Sequence, residues 1–264
     1  MGFKEIRKKH PYYKVNREER NLVAFFYHVL LSNNNLEKFI KKIAPECPIV
    51  IEEAAVYFEY AYLRDLWHTL TNENEKKELI LSNLNVTNKT KINDLNPEQF
   101  NQFFGAKSKT KIESPSNWSI GRIDQFNNDL KGNDFLEICK LKWCFNSKAD
   151  LVIHTDENTA FCFEAKLESG IGKYPTSAQE IKLLRERLDK KEVHVDQIEI
   201  QKKMMNLLGI KSQHFLLCPK PRNNNEENSY REISWFEAFS DLDLPTVNKF
   251  LKEGKYIGDF LKTN

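Results

Sequence analysis

The spacing of apolar positions changes character along the chain. Leu22, Val23, Phe26, Val29 and Leu30 recur at three- and four-residue intervals, which predicts a helix over 17–31. Asn16 followed by Glu19 reads as a capping-box variant at its start. A second helical stretch covers 34–44 and is broken by Pro45 and Pro48. Ile49 to Leu70 is read as a third helix, with Val56, Tyr60, Leu63 and Trp67 on one face. Residues 71–96 are polar, with a short helix over 74–84. Pro97 stands at the first position of another helix ending at Phe104. The stretch 105–121, with Gly105, Pro115 and Gly121, reads as loop.

Beyond residue 130 the pattern turns strand-like. Phe135 to Phe145 (FLEICKLKWCF) is read as a long strand, Ala149 to Thr155 as a second and Thr159 to Leu167 as a third. Asp156-Glu157-Asn158 makes the turn between the last two, and the three form an antiparallel meander. Helical patterns follow over 175–188 and 195–208, the latter closed by Gly209. Phe215 to Cys218 is a short buried strand, 223–228 a polar loop, and 234–240 and 245–261 final helices. Helix, three strands, helix, strand is an α/β arrangement with helices packed on a sheet.

Charge narrows the function classes. Lys and Arg number 40 against 38 Asp and Glu, a formal net charge of +2 over 264 residues. Bulk charge therefore cannot hold a polyanion, and any nucleic-acid site must be local. The basic segment Lys4 to Arg20, with Tyr12 and Tyr13, reads as such a patch or as a solvated terminus. No apolar run approaches the roughly 18–20 residues of a membrane span. Five scattered cysteines, an odd count without C-x-x-C, point to reduced thiols and a cytoplasmic location with no membrane partner.

The residues that carry chemistry are Asp150, Glu164 and Lys166. Side chains alternate along a strand, so Glu164 and Lys166 share one face while Phe161, Phe163 and Ala165 line the other. Asp150 opens the neighbouring strand, and a short hairpin would bring its carboxylate alongside Glu164. Two carboxylates held together repel unless a cation lies between them. The Ala165 carbonyl is available to the same cation, and Mg²⁺ suits a site of one or two carboxylates plus a phosphate. Lys166 would position or deprotonate a water there, or stabilise charge developing on phosphorus. An isolated E-x-K pair is more often a surface ion pair, but charges closing so apolar a strand need a reason.

Lys148-Ala149-Asp150, thirteen residues, then Glu164-Ala165-Lys166 resembles the signature of the PD-(D/E)xK nuclease superfamily, with Ala149 in the proline position. The resemblance implies a restriction-endonuclease-like α/β core: a central mixed sheet of about four or five strands flanked by helices. It implies a metal-dependent nuclease that hydrolyses phosphodiester bonds of nucleic acid, DNA favoured over RNA, with Mg²⁺ as cofactor and Mn²⁺ substituting. Asp150 and Glu164 are carried over as metal ligands with the Ala165 carbonyl, and Lys166 as the catalytic lysine. Many members add an acid from the first helix. The stretch Glu19-Arg20-Asn21-Leu22-Val23 is similar to the opening helix of archaeal Holliday-junction resolvases, which favours Glu19 over Glu18 as a further metal and catalytic residue. Gln197 matches a glutamine of members related to RecB and lambda exonuclease, although Gln201 stands where those have tyrosine.

On this reading 1–32 holds the basic N-terminus and first core helix, 33–130 a large N-terminal helical insertion, and 131–264 the nuclease core with C-terminal helices, in one compact unit. A role in prokaryotic restriction or phage defence follows from the resemblance alone, with a homodimer or a defence-system protein partner left open. The loop after the third strand, with Gly170, Gly172, Lys173 and Tyr174, would touch a phosphate backbone or simply join strand to helix. The alternative function is a catalytically inactive, nuclease-like module that binds nucleic acid or protein.

Overall fold

The computed structural model describes residues 18–87, 89–126, 132–167, 169–221 and 229–243. It is α/β, with a mixed five-stranded sheet flanked by helices. The basic segment up to Arg17, the polar loop 223–228 and the helix expected over 245–261 lie outside the described residues.

Helices α1 (Glu19–Leu30) and α2 (Asn35–Ile43) fall where their apolar spacing places them. Strand β1 (Ala55–Phe58) then follows a turn over 51–53, so the single helix expected over 49–70 is corrected. Four residues are too few to display a two-residue period against a helical background. Glu59, at φ 49°, turns the chain out of β1 before α3 (Tyr62–Thr69) begins.

Helices α4 (Glu73–Ser82), α5 (Lys89–Asn93), α6 (Pro97–Phe103), α7 (Ile120–Phe126) and α8 (Gly132–Asn146) come next. Pro97 does open α6, behind a full capping box in which Asn96 and Gln99 satisfy each other's backbone N–H. The strand expected over 135–145 is helix α8, the second correction. Phe135, Ile138, Cys139, Leu141, Trp143, Cys144 and Phe145 are all buried, so little polar stripe remains to advertise the helical period. Its polar positions, Glu137 and Lys140, instead pair with Lys203 and Glu199 of α10 (Gln197–Leu207) at 2.7 and 2.9 Å. Eleven residues was already long for a strand.

Strands β2 (Leu151–Asp156) and β3 (Thr159–Ala165) form the expected hairpin, Leu151 facing Phe163 and Val152 facing Cys162. The third strand of the antiparallel meander is β1, with Phe58 opposite Leu151. Next come β4 (Lys173–Tyr174), α9 (Ala178–Leu188), β5 (Val195–Asp196) and α10. Strand β6 (Lys211–Cys218) returns parallel to β3, β7 (Arg231–Ser234) pairs parallel with β6, and α11 (Trp235–Phe239) is the last element among the described residues. The sheet order is β1-β2-β3-β6-β7, and β4 and β5 form a separate two-stranded pair.

Two compact units result, and the chain passes between them repeatedly. The first comprises the described residues of Met1–Tyr60, Ala149–Gly170 and Gly209–Asn264 and contains the whole five-stranded sheet. Its core joins one sheet face, Leu151, Ile153, Phe161, Phe163, Phe215 and Leu217, to Phe26 of α1, Phe39 of α2 and Trp235 of α11. The second unit comprises Ala61–Lys148 and Ile171–Leu208 and is mostly helical. There α8 packs against α9 and α10, and Phe104 stacks on Trp118 at 4.4 Å. Residues 33–60, expected with the helical segment, fall instead with the sheet, because β1 hydrogen-bonds to β2. Among the described residues no helix is long and apolar enough to cross a membrane.

Candidate active site

The hairpin register decides the geometry. Leu151 faces Phe163, so Asp150 and Glu164 emerge at the same end of the β2–β3 pair. Their side chains share the face opposite to Leu151, Phe163 and Ala165, as alternation requires. The Asp150 carboxylate accepts a hydrogen bond from the Ala165 N–H at 2.8 Å. Glu164 is 2% exposed, and its Oε1 accepts from Lys166 Nζ at 2.7 Å.

Helix α1 adds the third acid. Glu19 Oε1 accepts from the Leu167 N–H at 2.9 Å and from the Ser169 hydroxyl at 2.7 Å. Its Oε2 lies 3.6 Å from Lys166 Nζ. Glu18 is the helix N-cap and makes no side-chain capping bond, while the Glu19 carboxylate is engaged by the backbone and hydroxyl after β3; Asn16, the other half of the expected capping box, lies outside the described residues. The backbone of Lys166 is fixed on both sides. Its N–H donates to the Leu217 carbonyl at 2.7 Å, and its carbonyl accepts from Trp235 Nε1 at 3.0 Å.

Electrostatics follow from burial among like charges. Burial pushes the Asp150 carboxyl above the usual range, and Glu59 and Glu19 push the same way; the Ala165 N–H and Lys166 oppose them. Burial would also lift Glu19, but the Leu167 N–H, the Ser169 hydroxyl and Lys166 outweigh it and hold that carboxyl low. For Lys166, burial favours the neutral amine, yet Glu164, Asp150 and Glu19 together keep its pKa above the ordinary value. Lys166 is thus a cation at neutral pH, suited to positioning and charge stabilisation and unsuited to taking a proton.

Asp150, Glu164, Lys166 and Glu19 all meet in the sheet unit. Gln197 belongs to the second unit, where it opens α10 and its backbone N–H donates to the Gly172 carbonyl at 2.8 Å. Gln201, in the tyrosine position of the resemblance, is buried and reaches the Lys148 carbonyl at 3.3 Å. Tyr174 stacks on Trp143 at 5.6 Å, which gives its ring a packing role. Sequence reading missed Glu59, whose N–H donates to the Asp150 carbonyl at 3.0 Å and whose carboxylate pairs with Arg20. It also missed Ser169 and Trp235. Recognising β1 in the sequence would have exposed Glu59; nothing local marks the other two.

Carboxylates are the hard oxygen donors a divalent cation takes, and here Glu164, Glu19 and Asp150 gather around a single ammonium. Among the described residues, no group of three or more His, Cys, Asp or Glu side chains is arranged to hold a metal ion. Two carboxylates are enough for Mg²⁺ when a phosphate supplies further oxygens. Comparison of the chain with family models, with curated proteins and with solved structures finds no match.

Proposed function

We propose that the protein is a Mg²⁺-dependent nuclease of the PD-(D/E)xK type, hydrolysing phosphodiester bonds, with DNA the favoured substrate. The observation that carries this reading is the ring of carboxylates around Lys166 at the end of β3, with Glu164 buried and Asp150 beside it. An order of helix, three antiparallel strands and a parallel return strand accords with it, with helical segments between β1 and β2 and between β3 and β6.

Asp150 and Glu164 would hold the ion, with the Ala165 carbonyl as the further ligand the resemblance implies and Glu19 as supporting acid. Bound there, the ion would polarise the phosphate and lower the pKa of a water. Lys166, kept protonated by its acidic neighbours, stabilises negative charge as it develops on the phosphoryl oxygens. Glu19 ties α1 to the backbone after β3 and so fixes the direction of the Lys166 ammonium. Ser169 and Trp235 hold the same segment from two sides. A role in restriction or phage defence rests on the resemblance alone.

The test is cleavage of plasmid, linear duplex, single-stranded DNA and RNA by purified protein with Mg²⁺ or Mn²⁺. Wild type should cut at least one of them, and Asp150→Asn and Lys166→Ala should not, with circular dichroism confirming that both stay folded. Equal cutting by wild type and Lys166→Ala sinks the proposal. The lack of a three-ligand group among the described residues gives weight to a second reading, a non-catalytic nucleic-acid-binding module. Calorimetry separates the two: the enzyme takes up Mn²⁺ at a site that Asp150→Asn weakens, whereas the module binds nucleic acid with no metal uptake.

A further inference from the structure

The helical unit contains a cavity of about 390 Å³ between α3, α4 and the loop that runs from Lys107 to Asn117. That volume suits a small ligand, since such sites begin near roughly 300 Å³. Three cationic side chains line it: Arg64 from α3, Lys76 from α4 and Lys111 from the loop. Among the lining residues one carboxylate, Glu113, stands against them. That carboxylate already accepts the N–H groups of Lys107 and Ser108, at 3.1 and 2.5 Å, and so is committed to shaping the loop. Lys76 is paired with Glu73 at 2.9 Å. Against Glu113 and the Glu73 partner of Lys76, the three cations leave one positive charge in excess at the cavity, and no ion pair joins Arg64 or Lys111 to an acid among the described residues.

Arg64 supplies the more specific signal. Its Nε is buried and has no hydrogen-bond acceptor among the described residues. Buried donors are almost always satisfied, and an unsatisfied one costs about 1–3 kcal/mol, more when charged. Nε itself has no accessible surface, so an oxyanion in the cavity would first meet the terminal N–H groups of Arg64, and a turn of the guanidinium would let a phosphate take two parallel N–H bonds and relieve Nε as well. Hydroxyl and amide donors complete the wall. Ser114, Ser116 and Asn117 line the cavity from the short 3₁₀ turn Pro115–Asn117 and its N-cap. Trp67 also lines the cavity, edge-on to Phe145 at 6.0 Å and with Lys76 Nζ 5.9 Å from its ring centroid.

We propose that this cavity is a phosphate-binding site, with Arg64 and Lys111 as its charged ligands and the Ser114–Asn117 turn as its polar rim. It takes the phosphate of a nucleotide, either free or within a single strand. The site lies wholly in the helical unit and does not depend on the nuclease reading.

The experiment uses the full chain in excess chelator, which suppresses any metal-dependent cleavage. Calorimetry and tryptophan fluorescence, with Trp67 as reporter, follow titration with inorganic phosphate, dAMP, deoxyadenosine and a twelve-nucleotide single strand. Binding of phosphate or dAMP, with deoxyadenosine silent, supports a site for free nucleotides. Binding of the strand alone supports one for a chain phosphate. In either case Arg64→Gln and Lys111→Ala each weaken binding about tenfold or more. Lys111 is exposed, so Lys111→Glu tests the site without touching the core, even if Arg64→Gln fails to fold. The proposal is overturned if no phosphate-bearing probe binds, or if affinity survives Lys111→Glu.

Discussion

Lys166 stands among Glu164, Glu19 and Asp150, and its loss should be felt in stability as well as in chemistry. Removing the ammonium leaves Glu164, 2% exposed, as a buried carboxylate whose 2.7 Å partner is gone. Breaking one side of a buried pair costs about 3–5 kcal/mol. Lys166→Ala should therefore lower the urea midpoint by that order, and Lys166→Ala with Glu164→Gln should recover most of it. A single variant as stable as wild type would show that the pair is solvated. Cleavage assays of Lys166→Ala should accordingly be run well below its own melting temperature.

At the scale of elements, two glycines of equal φ should behave differently. Gly105 and Gly209 both adopt φ +71°. A Cβ at Gly105 would lie 2.5 Å from the Ser119 carbonyl and 2.8 Å from the Ile123 nitrogen, backbone atoms that cannot step aside. At Gly209 a Cβ meets open space. Gly105→Ala should cost about 2–5 kcal/mol, the left-handed penalty plus overpacking, and Gly209→Ala only about 1–2 kcal/mol. Denaturant titration of the two variants distinguishes them, and equal losses would refute the close approach of Gly105 to α7. In the sheet unit, Phe26 of α1 is fully buried against Phe39, Trp235 and Phe239, with centroids at 5.1, 6.3 and 5.1 Å. Phe26→Ala should cost about 3–5 kcal/mol by leaving a cavity. Differential scanning calorimetry would record it.

At the scale of the molecule, both units hide their thiols. Of the five cysteines only Cys47 is partly accessible; Cys139, Cys144, Cys162 and Cys218 are buried. Burial raises the Cys144 and Cys162 thiols to about 12 and pushes Cys139 higher still, so none of them forms a thiolate at neutral pH. A thiol-specific chromogenic disulfide should titrate one thiol in the native protein and five after unfolding in guanidinium. Rapid native reaction of two or more would mean that a unit opens easily.

The juxtaposition of Asp150, Glu164 and Lys166 was more legible than the architecture around it. Asp150, Glu164 and Lys166 were readable because a strand's two-residue period fixes which side chains share a face, and a tight hairpin fixes the register. Helix α1 was readable because its apolar stripe is clean and its polar face is wet. Helix α8 was misread as a strand because burial on most sides erases the periodicity that separates the two. Strand β1 was hidden because its apolar residues continue the spacing of α3 and its identity lies in hydrogen bonds to residues about a hundred positions away. What tertiary structure alone decided is therefore long-range: that β1 completes the meander, that α1 delivers Glu19 to the backbone after β3, and that three segments close one unit while two form another. Local periodicity records which face of an element is apolar; only packing determines which distant element that face meets.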